Sequence, residues 1–416
     1  MLKIRSRVLA IALAPLVALV GFAGFSIAQS WSMIKAAEQL EVATTVAVGI
    51  GDVVHQMQIE RGMSASYLSS NGANATQLTG QRAAVDEAID ALETLLGETG
   101  AAAHDPALAV IVDDFRSELE AVPSIRRDVE TQAIPGPEAV RRYTAIVATG
   151  SEGVELIAHA GSSVDEQVGY ALSTYAAIGA GKEYAGLERA NGATVLNALR
   201  VSEEGALTVA RLASSEQAAL ASVHTWILPR HTGLWDGFLN SPEHLNVEQM
   251  RTRISSSVGA PPPIASQVWF DAATQRINAM RAIQTTIAND SIELAAAARS
   301  RARSSLFLNA GLALLAAFGS VAVAVFVSRT ITVPLAALTR DMNALAAGDK
   351  SIGASEAKRS DELGEMGRAV VVFKDAAIAL DKSNADRERM EAEAAEQRAR
   401  NEEARRREEE ARAATA

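Results

Sequence analysis

Two arginines, Arg61 and Arg189, stand in similar runs of small residues and have the side chains best suited to binding chemistry. The first run is IERGMSASYL and the second is LERANGATVL. A guanidinium is planar, always charged, and presents paired donors to a planar oxyanion. Small neighbours let helices approach closely and leave room beside it. The repeat therefore suggests two facing halves with a shared pocket, in which buried arginines replace the hydration of a small anion such as nitrate or nitrite.

Each of these arginines follows a glutamate, Glu60 or Glu188, that could orient the guanidinium or form a salt bridge. Adjacent glutamate and arginine are common in helices, and this chain has another such pair at Glu388 and Arg389. Two ion pairs with a purely structural role would give a similar pattern. The residues alone therefore leave both interpretations open.

The other residue types exclude most alternative chemistry. There is no cysteine, so disulfides, thiolate metal sites and a cysteine nucleophile are excluded. The six histidines show no metal-ligand spacing. His55 falls about one and a half helical turns before Arg61 and could line the pocket, although a lone histidine more often packs or faces solvent. Nothing resembles a catalytic triad or a pair of catalytic carboxylates, so we expect no enzymatic activity and no cofactor. The net charge of −11 argues against nucleic acid as a partner.

The elements that must position these residues are predicted to be helices. Alanine and leucine dominate a composition with only 4% aromatic residues, and both favour helix. Residues 29–304 show no convincing strand alternation, and their breaks separate stretches suited to helical bundles. The predicted breaks lie at 71–72, 97–106, 134–137, 161–163, 229–242 and 259–263. The sequence therefore predicts an all-α fold.

Two uncharged apolar stretches, Val8–Ile27 and Leu306–Val327, are each long enough to cross a bilayer as a helix. A cleaved signal peptide is the alternative for the first, but its apolar run is longer than usual. The predicted organisation is a cytoplasmic N-terminus (1–7), a first span (8–28), an external helical domain (29–304), a second span (305–327), a coiled-coil relay (328–382) and a charged helical stalk (383–416). The first and last helices of the external domain are expected to continue into the spans.

Basic residues predict the orientation of these spans. Three of them precede the first span and one follows it closely, which places the N-terminus in the cytoplasm and residues 29–304 in the periplasm. Three arginines on the supposed outer side of the second span, Arg299, Arg301 and Arg303, oppose this assignment. The orientation therefore rests on the first span, and the predicted location is the inner membrane of a bacterium.

Beyond the second span, two short segments carry apolar residues at heptad spacing. The first has Ile331, Leu335, Leu338, Met342 and Leu345, and the second has Leu363, Met366, Val370, Phe373, Ala377 and Leu380. Short helices with such narrow apolar seams cannot bury them within one chain. They predict a parallel homodimer with a four-helix coiled coil.

These segments closely resemble the HAMP domain of bacterial transmembrane receptors. Pro334 lies near the start of the first helix, Gly348 ends it, and the sequence DELG from Asp361 opens the second helix. The resemblance implies a domain that converts motion of a membrane helix into a change of bundle packing. It implies relay roles for Pro334, Glu362, Leu363 and Met366. An unrelated juxtamembrane coiled coil is the alternative.

The external region resembles the nitrate- and nitrite-sensing domain of bacterial receptors and of some soluble regulators. Three motifs carry the resemblance: QIERGMSASYLSSNG from Gln58, GKEYAGLERANGA from Gly181 and WFDAATQRIN from Trp269. They appear in the order found in that family, within a helical region of similar size. The resemblance covers residues 45–285.

The resemblance implies a site held by arginines between two helical bundles. Arg61 and Arg189 match the motif arginines and are the predicted ligand contacts. Lys182 and Arg276 lie within the matched motifs and are weaker candidates. Nitrate or nitrite is the implied ligand.

The leading hypothesis is a dimeric two-pass receptor that senses nitrate or nitrite and relays the signal through its HAMP segment. The class of protein expected to have this arrangement is a methyl-accepting chemotaxis receptor, and a sensor histidine kinase is the second expectation. Either output, with its chemotaxis or kinase partners, would require sequence beyond Ala416. The rival hypothesis is a membrane-anchored scaffold or interaction protein that binds no small molecule.

Overall fold

The computed structural model of the protein describes residues 4–72, 75–100, 105–353 and 355–413. The chain is 88% helical, and no strand occurs within these ranges. A single isolated bridge joins Val201 to Val258. The predicted all-α class is therefore confirmed. The chain forms two compact units, Ala28–Phe307 and a second that combines Met1–Ile27 with Leu308–Ala416.

The helices of the described chain are α1 (Ile4–Ser69), α2 (Ala75–Thr99), α3 (Pro106–Leu119), α4 (Val122–Glu130), α5 (Gly136–Ser162), α6 (Glu166–Leu196), α7 (Glu203–Ala221), α8 (Val223–Trp226), α9 (Thr232–Leu239), α10 (Pro242–Ser255), α11 (Ser266–Val327), α12 (Val333–Ala346) and α13 (Glu362–Ala413). Short 3-10 turns lie at Pro229–His231 and Ser355–Lys358, and a π-helical turn occupies Ser328–Thr332.

Helices α1 and α11 each combine an apolar stretch with a sequence motif. By length and composition, two helices of the described chain could cross a membrane, and they contain these segments. Each runs unbroken from its apolar stretch into the Ala28–Phe307 unit. The expectation that the first and last helices of the external domain continue into the spans agrees with these bounds.

Most helix ends in the Ala28–Phe307 unit fall where glycine, proline or a capping side chain ends or starts a helix. Helix α1 ends at Ser69, and Asn71 and Gly72 then take positive φ values of 50° and 91°. Asp105 caps α3 by accepting hydrogen bonds from the amides of Ala107 and Leu108. Three breaks of the described chain in this unit were not predicted, at residues 120–121, 197–202 and 222.

The first half of this unit is organised around a buried glutamate. Glu60 of α1 accepts two 2.8 Å hydrogen bonds from Arg126 of α4. The same guanidinium donates to Asp86 of α2 at 2.6 Å. The next residue, Arg61, donates to Thr144 of α5 at 2.8 Å. Helices α1, α2, α4 and α5 are therefore joined by one polar network.

The second half repeats this network with different residues. Glu188 of α6 is paired with Arg251 of α10, which also pairs with Glu216 of α7. Arg189 donates to Thr274 of α11 at 2.9 Å. The sequence separations agree: 66 and 63 residues between glutamate and arginine, and 83 and 85 between arginine and threonine. The internal repeat in sequence is thus an internal repeat in structure, with α6, α7, α10 and α11 as its second copy.

The unit that contains α12 and α13 has a small apolar core of Leu338, Ile352 and Val370. Helix α12 ends at Ala346, and Gly348 follows with a φ of 94° that lets the amide of Asp349 reach the carbonyl of Ala344 at 2.9 Å. Several heptad residues stay exposed in a single chain, namely Ile331, Met342, Met366, Phe373 and Leu380. The predicted glycine end of α12 is therefore observed.

Candidate anion-binding site

A cavity of about 470 Å³ lies between the two arginine motifs in the Ala28–Phe307 unit. Arg61, Arg189, Lys182 and His55 all line it. These are four of the five candidate ligand residues. Helices α1, α6 and α11 therefore bring residues that are far apart in sequence to one cavity.

Arg61 is 4% exposed, and its guanidinium is already paired. Nη1 donates to Glu183 Oε1 at 2.5 Å and to Thr144 at 2.8 Å, and Nη2 donates to Glu183 Oε2 at 3.0 Å. The amide of Gln58 donates to Glu183 Oε2 at 2.9 Å. A carboxylate from α6 thus neutralises the arginine from α1.

Arg189 keeps one edge of its guanidinium open. Nη1 donates to Thr274, and the guanidinium carbon lies 4.6 Å from the centre of the Phe270 ring. Nε is buried with no hydrogen-bond partner, and Nη2 makes none with the described residues. Burial, together with the charge of Arg61, lowers the pKa of Arg189. Nε and Nη2 form the fork that matches two oxygens of a planar anion.

Lys182 and His55 add a titratable cation and a neutral imidazole to the cavity. Lys182 Nζ donates to Gln284 at 2.6 Å. Burial, with a contribution from Arg281, lowers the pKa of Lys182 to about 7. Burial, followed by the charges of Lys182 and Arg281, lowers the pKa of His55 to about 3, so the imidazole is neutral at physiological pH. Its Nδ1 is buried without a partner in the part of the chain that the structure describes.

The charges around the cavity do not balance. Three basic side chains line it, and Glu183 is the one carboxylate among the described residues that bonds to any of them. A buried charge without a counter-ion is costly, so an anion that enters this space gains fixed partners. The cavity is therefore suited to a small anion.

The two motif glutamates turn away from the cavity. Glu60 bonds to Arg126 and to the Tyr143 hydroxyl, and Glu188 bonds to Arg251. Neither carboxylate forms an ion pair with the arginine that follows it. Of the two interpretations left open by the sequence, the structure supports salt bridges, but to other arginines.

Arg276, the fifth candidate, lies outside the cavity lining. Its guanidinium pairs with Glu216 and donates to His244 Nδ1 at 3.1 Å. These contacts assign it to the second buried network. The third motif still reaches the site, because Trp269 donates from its indole nitrogen to the carbonyl of Arg189 at 3.0 Å.

Three residues of the site escaped the sequence reasoning, namely Glu183, Thr144 and Thr274. Glu183 stands in the second motif, directly after Lys182. A carboxylate directly beside a candidate cation is a signal that could have been used. Thr274 likewise stands in the third motif, whereas Thr144 lies in none of the motifs and is 83 residues from Arg61.

Two helical bundles with a cavity that holds more basic than acidic side chains, in a chain that also has candidate spans and a coiled-coil segment, define the class of ligand-sensing signal transducers. The chain is a member of the nitrate and nitrite sensing family, whose model matches residues 52–292, more than half of its length. A HAMP domain model matches residues 326–377. Both predicted resemblances are therefore confirmed.

Two curated proteins are similar to this chain. The nitrate regulatory protein of Klebsiella oxytoca is 26% identical over 261 residues, which is 62% of this chain and 64% of that protein. The probable chemoreceptor y4sI of Sinorhizobium fredii is 48% identical over 60 residues, 14% of this chain and 8% of that protein. The chain thus spans less than two thirds of either relative.

A solved structure supports the fold. The NasR transcription antiterminator matches with a TM-score of 0.58 and 22% identity, over 86% of this chain and 98% of that one. The shared feature is the arrangement of helices.

Proposed function

We propose that this chain is a two-pass receptor of a bacterial inner membrane, with Ala28–Phe307 in the periplasm as a sensor of nitrate or nitrite. Its family membership and HAMP domain make it a signal transducer with a nitrate and nitrite sensing domain. The observation that carries the ligand proposal is the open Nε and Nη2 edge of Arg189, buried in a cavity with excess positive charge.

In the proposed binding mode, two oxygens of the planar anion accept hydrogen bonds from Nε and Nη2 of Arg189. The ammonium of Lys182, which lines the same cavity, supplies a second charge. Phe270 supports the guanidinium from one face. Nitrate and nitrite have the flat shape and the single negative charge that this fork requires.

The signal would leave the sensor through α1 and α11, since each holds cavity residues and a candidate span. Two ion pairs join these helices beyond the cavity: Arg299 with Glu41 at 3.0 Å and Arg303 with Glu38 at 2.7 Å. A bound anion shifts the balance between two packings only by its differential affinity for them. HAMP repacking, with Pro334, Glu362, Leu363 and Met366 as relay residues, is the proposed next step.

The three arginines that oppose the periplasmic placement form ion pairs within the Ala28–Phe307 unit. Arg299, Arg301 and Arg303 pair with Glu41, Asp165 and Glu38. Acidic partners count for little in the positive-inside rule, so these ion pairs do not remove the opposition. The proposed orientation rests on the bias at the N-terminus.

Chemotaxis is the proposed output, and the short match to a probable chemoreceptor favours it. The match to a nitrate regulatory protein favours a regulatory output other than chemotaxis as the second candidate. A parallel homodimer is proposed because Met366, Phe373 and Leu380 are exposed at heptad positions. We assign no catalytic activity to the chain, and its proposed partners are the anion, the membrane and chemotaxis or kinase components.

Isothermal titration of the full chain in lipid nanodiscs with nitrate tests the proposal. Arg189→Gln removes two charge-assisted hydrogen bonds and is expected to weaken binding about a hundredfold. Arg116→Gln is the matched control, because Arg116 pairs with Glu93 at the surface. Absence of binding by the wild type would favour the scaffold hypothesis, and equal binding by Arg189→Gln would discard this site.

A further inference from the structure

We propose that Glu183 sets the affinity of the cavity by competing with the bound anion for the guanidinium of Arg61. This inference rests on the proposed function and names the residue that regulates the same site.

The contact between Glu183 and Arg61 imitates an anion complex. The two carboxylate oxygens accept from Nη1 at 2.5 Å and from Nη2 at 3.0 Å. A carboxylate is a planar oxyanion with one negative charge, as nitrate is, and it uses the same paired donors. An anion that takes the Nη1 and Nη2 donors of Arg61 must displace Glu183 from them.

The internal repeat shows why only one arginine is held in this way. Glu183 lies six residues before Arg189, and His55 lies six residues before Arg61. The two side chains therefore occupy corresponding positions in the two copies. Burial lowers the pKa of His55 to about 3, so this side chain is neutral where Glu183 is charged. The carboxylate of Glu183 occupies the Nη1 and Nη2 donors of Arg61, whereas no carboxylate of the described residues is bonded to Arg189.

The same pair connects the two halves of the sensor. Arg61 and Gln58 lie on α1, Glu183 lies on α6, and both α1 side chains donate to its carboxylate. An anion that displaces Glu183 from Arg61 removes an ion pair between these helices. Competition thus gives the ligand a route to loosen α1, which contains the first candidate span.

Nitrate titration of the full chain in nanodiscs tests this competition. Glu183→Gln keeps the size of the side chain and removes its charge, so we expect a dissociation constant at least about tenfold lower than that of the wild type. Asp52→Asn is the matched control. Asp52 pairs with Arg281 and lies beside Lys182, but it does not contact Arg61. If both variants tighten binding equally, the cause is a general gain in positive potential, and the proposal is overturned.

Two further variants test whether Glu183 acts through its contact with Arg61. Glu183→Asp keeps the charge but shortens its reach, so it is also expected to tighten binding, and it decides the question if Glu183→Gln does not fold. In an Arg61→Gln background, Glu183→Gln should no longer tighten binding. If the wild type binds nitrate and both Glu183 variants bind it with the same affinity, the competition is contradicted but the proposed function is not. No binding by any variant contradicts the proposed function itself.

Discussion

The Nη2 atom of Arg189 lies 3.5 Å from the point that a Cβ atom on Gly62 would occupy. The relationship is reciprocal, because a Cβ atom on Gly186 would lie 3.7 Å from Nη2 of Arg61. Each guanidinium therefore ends against a glycine on the opposite helix. The small residues around each arginine therefore leave room for the guanidinium of the other arginine.

Replacing Gly62 tests this arrangement. A methyl group would make an ordinary van der Waals contact, so Gly62→Ala should bind nitrate nearly as the wild type does. Gly62→Leu places further carbons where Nη2 of Arg189 lies, and loss of its hydrogen bond should weaken binding about tenfold or more. Titration calorimetry measures both. Gly80→Leu is the control, because nothing lies within 4 Å of a Cβ atom there. If Gly62→Leu binds nitrate with the affinity of the wild type, the guanidinium of Arg189 does not lie beside Gly62.

Glu216 is the residue whose removal should cost the most stability. It is fully buried and pairs with both Arg251 and Arg276. Glu216→Ala leaves two buried guanidinium groups short of a counter-ion, so we expect a loss of about 3–5 kcal/mol in the free energy of unfolding. Chemical unfolding of the full chain in detergent measures it.

Glu93→Ala is the control for this experiment. Glu93 pairs with Arg116, but both side chains are about 40% exposed. Exposed pairs contribute less than about 1 kcal/mol. Similar losses in the two variants would show that the buried network does not stabilise the second half as argued.

Turn chemistry made much of the fold predictable, and long-range contacts account for the rest. Gly72 and Gly348 have positive φ values that favour glycine, so the ends of α1 and α12 could be read from local sequence. The break at residues 197–202 could not, because part of it is fixed from outside. Val201 donates its amide to Ala260 and pairs with Val258, far along the chain.

The residues of the candidate site likewise fall into those that local sequence identified and those whose partners lie far along the chain. Small neighbours identified Arg61 and Arg189, since local sequence records the space around a side chain. Sequence type alone could not separate Arg276 from them, because Glu216, the carboxylate that neutralises it, is 60 residues away. For the same reason Glu183 was missed as the partner of Arg61, at a separation of 122 residues.

Nitrate binding should weaken as the pH rises through neutrality. Burial lowers the pKa of Lys182 to about 7, and an adjacent anion favours the charged ammonium and so raises that pKa. Binding therefore takes up a proton, and the affinity is highest where Lys182 is already protonated. The groups that act on Lys182 or contact it are His55, Asp52, Glu183, Arg281 and Gln284. His55, with a pKa of about 3, stays neutral across this range.

We expect the dissociation constant to rise about tenfold between pH 6.5 and pH 8.5, since one pKa unit corresponds to about 1.4 kcal/mol. Calorimetry in buffers of different ionisation enthalpy counts the protons taken up. Lys182→Met should bind more weakly and show no pH dependence in this range. A pH-independent wild type would remove Lys182 from the site.

Arg359 compensates for the hydrogen bond that Pro334 cannot make. Proline lacks an amide proton, so the carbonyl four residues earlier, that of Thr330, loses its usual helical donor. Nη2 of Arg359 donates to this carbonyl at 3.1 Å. Asp361 holds the guanidinium at 2.6 Å and accepts from the amide of Gly364 at 3.0 Å. Arg359, which lowers the pKa of Asp361 to about 2, thus links the start of α13 to the residues before α12.

Arg359→Gln should break the link between Thr330 and the start of α13. The carbonyl of Thr330 then depends on water, and the turn at Ser328–Thr332 loses its contact with the segment before α13. We expect amide hydrogen exchange to become at least about threefold faster in peptides that cover 328–334 and 355–362, because local opening costs less free energy. Mass spectrometry of the full chain in nanodiscs measures it. Arg340→Gln, at an exposed position of α12, should leave both peptides unchanged. Equal exchange in the two variants would mean that α12 and α13 are held in register by their apolar core alone.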